Sequence, residues 1–157
     1  MTHNKQPGSK MCFVCGQENP FGLKLDFYET TSGEVTVDYI APDHFQGYPG
    51  MLHGGIAATI LDEVAGRAHI GNNPPRFMYT AKLEIKYRKN VPVGQPLTII
   101  GKAGKDRGRM AEGWAGIYDN EGKLLVEANA LLVNLPEEAL GSANLEELGW
   151  KVYPDKE

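Results

Sequence analysis

The sequence predicts an α+β fold in which one long helix packs on an antiparallel sheet, with the element order β-β-α-β-β-β-β. The first observation is a series of four strand-length segments after residue 76, joined by connections that are too short to contain crossover helices. The second is a single stretch that follows residue 52 and carries apolar residues at helical spacing. Short connections imply antiparallel pairing, so both observations indicate the same architecture.

The elements before the helix are predicted to be a tail, a hairpin and a loop. Residues 1–10 are polar and include Pro, Gly and Ser, which is typical of a flexible tail, and order is expected from Met11 onward. Leu23–Glu29 and Glu34–Ile40 alternate apolar and polar residues on either side of a TTSG turn, and this pattern predicts a β-hairpin. Residues 41–52 hold two prolines and two glycines and are predicted to form a loop.

The elements after the helix complete the sheet. Asn72–Pro75 is expected to break the chain, because proline lacks an N–H group and disfavours the helical conformation at the residue before it. The ordered domain is expected to span residues 11–135, followed by a helical or irregular C-terminal extension at residues 136–157. The four further strands are predicted at residues 77–89, 96–104, 109–119 and 123–135.

Composition and charge exclude several classes of protein. The chain has 157 residues, of which 41% are hydrophobic, and this suits one globular domain rather than a disordered or fibrous chain. A formal net charge of −4 argues against nucleic acid or anionic lipid as a partner. No apolar run approaches the roughly 18 residues of a membrane span, and residues 1–10 carry no hydrophobic secretory segment. We therefore expect a cytoplasmic protein with no membrane partner.

The chain has two cysteines, Cys12 and Cys15, which form a CxxC pair. A structural zinc site usually takes four ligands, and the sequence offers no second cysteine pair or close HxxxH to complete one. The surroundings also lack the βαβ pattern of a thioredoxin-like redox site. These observations favour structural thiols and no metal, while metal and redox roles stay open as alternatives.

The predicted helix has two different faces. Its apolar stripe, which is suited to packing on a sheet, consists of Ile56, Ala57, Ile60, Leu61, Val64, Ala65 and Ala68. The other face carries small residues around Asp62, and a glycine inside a helix, such as Gly66, costs about 1 kcal/mol relative to alanine. That cost favours a face that a partner subunit or a ligand approaches closely. In the plainer alternative, Asp62 and Glu63 are simply exposed acids.

The start of this helix is the second feature that suggests chemistry. A helix N-terminus has unpaired N–H groups and the positive end of the macrodipole, so it can stabilise a developing negative charge. Gly54 and Gly55, which follow His53, lack the side chains that would block a ligand, although glycine pairs are also ordinary turn formers. Asp62 lies nine residues after His53, about 13 Å along the helix axis. The acid could therefore come from one subunit and the amides from another.

The segments HGGIAATILDE (His53–Glu63) and CFVCGQENPFGLKL (Cys12–Leu25) resemble the hotdog-fold thioesterases of the PaaI type. The resemblance implies a long helix wrapped by an antiparallel sheet and a homodimer with active sites between subunits, with a dimer of dimers as the larger alternative. It also implies hydrolysis of acyl-CoA thioesters without a separate cofactor, since coenzyme A is part of the substrate.

The same resemblance implies roles for individual residues. Asp62 takes the place of the general base or nucleophile, Gly54 that of the oxyanion-hole amide and Thr80 that of the hydroxyl that positions water. Glu63 stays open as the alternative acid. We interpret His53 as an orienting residue, with a plain packing histidine as the alternative. An Asn or Gln commonly lines the family's site six residues before the histidine. Here that position is Gly47, and Gln46 lies one residue earlier.

Four basic residues are candidate contacts for the phosphates of coenzyme A: Arg88, Lys89, Arg107 and Arg109. They lie near the ends of the predicted strands. In the alternative interpretation they are a solvated basic rim, and salt-dependent binding would distinguish the two.

Two other functions are alternatives to hydrolysis. The loop DHFQGYPG is similar to the histidine loop of hotdog hydroxyacyl-thioester dehydratases, whose acid lies fourteen residues after the histidine. Fourteen residues after His44 the chain has Ala58, which cannot act as an acid. The other alternative is a non-catalytic acyl-CoA-binding protein, and Asp62 and Thr80 argue against it.

Overall fold

The computed structural model describes residues 3–71, 74–140 and 145–157, and within them one α-helix packs on one seven-stranded antiparallel sheet. The predicted α+β class is confirmed. The helix α1 spans Gly54–Arg67, and short 3-10 helices occupy Asp43–Phe45 and Glu137–Leu140. The strands are β1 Asn4–Lys5, β2 Tyr28–Glu29, β3 Val35–Ile40, β4 Met78–Tyr87, β5 Pro96–Asp106, β6 Met110–Tyr118 and β7 Leu124–Asn134.

The sheet order is β1-β2-β3-β5-β6-β7-β4, and every neighbouring pair is antiparallel. The chain leaves α1, forms β4 at one edge of the sheet and then returns to pair β5 with β3. β5, β6 and β7 follow one another as hairpins, and β7 pairs with β4. As a result, β4 has a hydrogen-bonding edge that no other strand of the described residues occupies.

The helix lies close to the sheet because two strands carry glycine beneath it. A Cβ atom at Gly101 would lie 2.5 Å from the carbonyl oxygen of Val64, and one at Gly113 would lie 2.7 Å from that of Ala65. The predicted apolar stripe is confirmed as the sheet-facing side. Its buried members are Ala57, Ile60, Leu61, Val64 and Ala65, while Ile56 and Ala68 are half-buried.

The predicted first strand of the hairpin is mostly irregular in the structure. Only Tyr28–Glu29 pairs as a strand, although Leu23, Leu25 and Phe27 are buried at alternate positions as expected. The amides of Leu23 and Leu25 donate instead to the carbonyls of Phe13 and Val14 in the cysteine segment. Lys24 between them has a φ of 52°, which interrupts regular strand geometry.

The N-terminal segment differs from the flexible tail that its composition suggested. β1 pairs with β2, and Gln6 is only 4% exposed. Gly8 exchanges backbone hydrogen bonds with Lys151 of the C-terminal segment. The physical reason is that main-chain groups make these contacts, so polar side chains do not prevent them. Residues 1 and 2 lie outside the described residues.

The C-terminal extension packs against the rest of the chain in its described part. Trp150 meets Phe77 edge to face, with the ring centroids 5.0 Å apart. Two predicted segments are described only in part. Residues 72 and 73 of the predicted chain break and residues 141–144 of the predicted extension lie outside the described residues. Within the described ranges, the helix is too short and too polar to cross a membrane.

Candidate active site

Asp62 and Thr80 form the polar centre of the candidate site. Thr80 Oγ1 donates a hydrogen bond of 2.5 Å to Asp62 Oδ1, so the helix and β4 are joined by a hydroxyl and a carboxylate. Both residues are half-buried. Thr80, which the resemblance singled out, therefore contacts Asp62, eighteen residues earlier in the chain.

A β-bulge in β4 orients Thr80 toward the helix. Thr80 pairs with Leu132 and Lys82 pairs with the next residue, Leu131, so Ala81 is the extra residue of the bulge. The bulge shifts the alternation of side chains by one position. Thr80 and Tyr87, which are seven residues apart, consequently face the same side of the strand.

Asp62 and Thr80 line a cleft of about 420 Å³, which we call the acid cleft. Gly66 also lines it. Apart from the neighbouring backbone of its own helix, no atom of the described residues lies within 4 Å of where a Cβ would be at that position, so within one chain the small face of the helix is open there. The apolar lining residues include Ile70, Phe77, Met78, Leu132, Leu135, Leu148 and Trp150. The Asp62 carboxylate therefore lies in a cleft wall that is otherwise largely apolar, so it would act on a ligand whose neighbouring part is apolar.

Glu63 has different neighbours from Asp62, although it also borders the acid cleft. Its Oε1 accepts a hydrogen bond of 3.1 Å from Nε of Arg67, one helical turn later. Burial raises the pKa of Glu63, and the positive charge of Arg67 opposes that rise. Of the two acids, Asp62 has the hydroxyl partner and Glu63 has the ion pair.

The cysteine pair lies in the wall of the acid cleft, which the sequence did not predict. Cys12 is half-buried and Cys15 is 2% exposed. A hydrogen bond from the Cys15 thiol lowers the pKa of Cys12 to about 6, while the same contact and burial raise the pKa of Cys15. The pair is therefore asymmetric, with the thiolate favoured at Cys12.

The start of α1 is capped by His53. The Nδ1 atom of His53 accepts a hydrogen bond of 2.9 Å from the amide of Gly55, and its carbonyl accepts from the amides of Ile56 and Ala57. The amide of Gly54 has no acceptor among the residues that the structure describes. The cap therefore occupies Gly55 and leaves Gly54 as the N–H donor available to a ligand.

A second cleft of about 590 Å³ surrounds this N-terminus, and we call it the helix-start cleft. Tyr87 Oη donates a hydrogen bond of 2.7 Å to the carbonyl oxygen of Gly54 and so fixes β4 beside the helix start. Tyr87 could not be singled out from the sequence, because its position on the helix side depends on the bulge at Ala81. The residues that line the helix-start cleft include Gly47, His53, Gly54, Tyr87, Arg88 and Lys89.

The two clefts are separate within one chain. Eight residues separate Gly54 from Asp62, which corresponds to about 12 Å along the helix at 1.5 Å per residue. Of the described residues, none lines both clefts. A small thioester group cannot contact the Gly54 amide and the Asp62 carboxylate of the same chain at once.

The four basic residues singled out in the sequence divide into two pairs. Arg88 and Lys89 line the helix-start cleft, where Arg88 Nε lies 2.7 Å from Glu127 Oε2. The neighbouring ammonium group of Lys123 lowers the pKa of Lys89. Arg107 and Arg109 are exposed around the turn between β5 and β6 and line neither cleft in the described part of the chain.

Gln46 and His44 also lie outside the lining of both clefts as described. The side-chain oxygen of Gln46 accepts a hydrogen bond of 3.4 Å from the amide of Gly50 within its own loop. The ring of His44 lies against Phe45, with the centroids 4.5 Å apart. Gly47 therefore takes the cleft position next to His53, where a Cβ would lie 3.3 Å from the histidine Cα.

The region that holds the helix and the strands after it is similar to known proteins. The family model of the thioesterase superfamily matches residues 49–126, which include α1, β4, β5 and β6. The acyl-coenzyme A thioesterase THEM4 of Rattus norvegicus is 30% identical over 110 residues, which are 69% of this chain and 46% of that protein. The chain thus spans about half the length of the curated relatives it matches.

Solved structures show the same fold. The crystal structure of a thioesterase superfamily protein has a TM-score of 0.71 at 30% identity, covering 78% of this chain and 59% of that one. The PaaI protein from the phenylacetic acid degradation operon of E. coli has a TM-score of 0.63 at 14% identity, covering 73% and 81%. These likenesses confirm the predicted fold of a long helix on an antiparallel sheet.

Proposed function

Because the chain belongs to the thioesterase superfamily, we propose that it hydrolyses an acyl-CoA thioester to a free acid and coenzyme A. The observation that carries this proposal is the contact between Asp62 and Thr80 in an apolar cleft. A carboxylate fixed by a hydroxyl beside an apolar surface suits an acid that acts on the carbonyl end of an acyl chain.

In the proposed reaction, Asp62 takes a proton from water as the water oxygen attacks the thioester carbon. The carbonyl oxygen becomes negatively charged, and the amide of Gly54 donates to it at the positive end of the helix. The C–S bond then breaks, and the coenzyme A sulfur leaves with the proton. Direct attack by the Asp62 carboxylate, followed by hydrolysis of the anhydride, gives the same products.

The separation of the two clefts supports a site shared between two copies of the chain. In an antiparallel pair of β4 strands centred near Leu83 and Glu84, Thr80 of one strand lies across from Tyr87 of the other. Thr80 contacts Asp62 and Tyr87 contacts Gly54, so this pairing brings each acid cleft beside a helix-start cleft of the other copy. We therefore propose a homodimer that pairs through β4. Two such dimers could assemble into a tetramer.

The two clefts suit the two halves of the substrate. The helix-start cleft has Arg88 and Lys89 at its wall, and these cations would contact the phosphates of coenzyme A. The acid cleft has an apolar lining in which Phe77 and Trp150 are the largest groups, and the acyl group would lie there. We also propose that the protein acts in the cytoplasm.

The test is single-turnover hydrolysis of acyl-CoA substrates of graded length and aromatic character, followed with a thiol-reactive dye. We expect Asp62→Asn to lower the rate of the chemical step by about 100-fold or more, because the amide cannot accept the proton. Glu121→Gln, which changes an exposed acid in the turn between β6 and β7, serves as the control. Full activity in Asp62→Asn would contradict the assignment, and tight binding of acyl-CoA by the wild type without turnover would favour a non-catalytic binding protein.

A further inference from the structure

Three potential metal ligands come together at the wall of the acid cleft. The Sγ atoms of Cys12 and Cys15 and a carboxylate oxygen of Glu63 all lie within 4.8 Å of one another. A tetrahedral zinc ion, with bonds of about 2.3 Å to sulfur and about 2.0 to 2.2 Å to oxygen, holds its ligand atoms somewhat closer than this limit. Small side-chain movements are therefore enough to enclose an ion.

The turn that carries the cysteines is built around the first sulfur. The amides of Val14 and Cys15 point at Cys12 Sγ, with nitrogen-to-sulfur distances of 3.4 and 3.5 Å. The amide of Gly16 donates to the carbonyl of Cys12 at 2.8 Å, and a Cβ at Gly16 would lie 2.3 Å from that oxygen. Amides directed at a sulfur stabilise its negative charge, as the groups around a metal-bound thiolate do.

Glu63 is held in place by Arg67. The guanidinium is buried, lies 4.2 Å from the centre of the Phe27 ring and 5.0 Å from that of Trp150, and also donates to the carbonyl of Pro7. It bonds one carboxylate oxygen of Glu63, and a carboxylate has a second oxygen that can bind an ion. Two thiolates, one carboxylate, one guanidinium and a divalent cation sum to zero charge, so this set suits a partly buried site.

We propose that Cys12, Cys15 and Glu63 bind a zinc ion. Two thiolates and one carboxylate are ligands that zinc accepts, and they leave a fourth position open toward the acid cleft. A disulfide between the cysteines would explain the CxxC pair alone, but it would leave the approach of Glu63 without a role. The sequence could not indicate this site, because its third ligand lies 48 residues after Cys15, on the helix.

The experiment uses the full chain, kept reduced with a phosphine and stripped of metal with a chelator, and titrates it with Co²⁺. We expect one Co²⁺ per chain, with the sulfur-to-cobalt charge-transfer absorption and visible bands of a tetrahedral site, and displacement by one equivalent of Zn²⁺. Cys12→Ser should abolish the charge-transfer band, and Glu63→Gln should weaken binding about tenfold or more. Glu18→Gln, an exposed acid near the cysteine turn, should bind as the wild type does.

Circular dichroism of each variant confirms that it is folded, and Cys12 is the preferred cysteine to change because it is less buried than Cys15. The proposal is overturned if the reduced protein gives no cobalt-thiolate absorption, or if binding survives in Cys12→Ser. Metal stoichiometry does not depend on hydrolysis, so failure of this proposal and failure of the thioesterase assignment are distinguishable.

Discussion

At the scale of single residues, Asp62 and Glu63 show how neighbouring acids on a helix acquire different environments. Successive residues point about 100° apart around a helix. Asp62 therefore faces β4 and accepts the hydroxyl of Thr80, while Glu63 turns toward Arg67 and the cysteine turn. The sequence left the choice between the acids open, and it is their different partners that favour Asp62 as the reacting group.

Among the charged residues that the structure describes, Arg67 is the buried one, so its removal should cost stability. Arg67→Met would leave Glu63 without its cation and would remove the contacts with the rings of Phe27 and Trp150. We expect the free energy of unfolding to fall by about 2 to 3 kcal/mol. This loss is smaller than that for a fully buried ion pair, because the side chain of Glu63 is still about a quarter exposed. Urea denaturation measures it.

Arg88→Met is the matched control, since Arg88 also bonds a glutamate but is half exposed. Its expected effect on the free energy of unfolding is below about 1 kcal/mol. Similar losses in the two variants would show that burial of the Arg67 pair does not determine its contribution.

At the scale of elements, the position of the helix depends on the glycines beneath it. Gly101→Ala should destabilise the fold by about 1 to 3 kcal/mol, because the new Cβ would overlap the carbonyl oxygen of Val64. Gly66→Ala places the same methyl group on the open face, where the gain in helix propensity is worth up to about 1 kcal/mol. Thermal unfolding of both variants compares the two faces, and an unchanged Tm in Gly101→Ala would contradict the close packing.

The helix and the four strands after it could be predicted from the sequence, because each repeats one local pattern over nine or more residues. The observed ends of these four strands differ from the predicted ones by at most two residues. The bulge at Ala81 could not be predicted, since strand alternation alone places Thr80 and Tyr87 on opposite faces. The pairing of β1 and the order of residues 4–10 depend on backbone contacts with distant segments, which side-chain patterns do not encode.

The candidate site was predictable to the same degree. The helix start and Asp62 followed from residue types and spacing along the helix, whereas Thr80 was implied by the resemblance alone. The contact between Asp62 and Thr80 is seen only in the structure. Arg76 was missed, although it lines the acid cleft and bonds Asp106 and Asn134. Its partners come from two other strands, and no local pattern relates them.

At the scale of the whole molecule, the main feature is the division of the site into two clefts joined by the edge strand β4. β4 contacts Asp62 near one end and Gly54 at the other, and its outer edge has no neighbour among the described residues. An exposed edge of this length is a common surface for pairing with another chain. Within one chain, Asp62 and the Gly54 amide thus lie near opposite ends of β4. Pairing of β4 with a second chain would bring the acid of one chain close to the amide of the other.

The amide of Gly54 can be removed with little disturbance to the helix. Gly54 is the first residue of α1, where proline is favoured, and His53 before it has φ −58° and ψ 133°, a conformation that proline permits. Gly54→Pro therefore deletes the N–H group while keeping the carbonyl that accepts from Tyr87. We expect it to lower the rate about 100-fold or more, as the loss of an oxyanion donor does.

The most direct test of the shared site is a mixture of Asp62→Asn and Gly54→Pro chains, unfolded together and refolded in equal amounts. Each variant alone should be nearly inactive. If the acid and the amide come from different chains, half of the dimers are mixed and each has one intact site, so the mixture should recover about a quarter of the wild-type hydrolysis rate. A refolded mixture that is dimeric but no more active than its components would contradict the account.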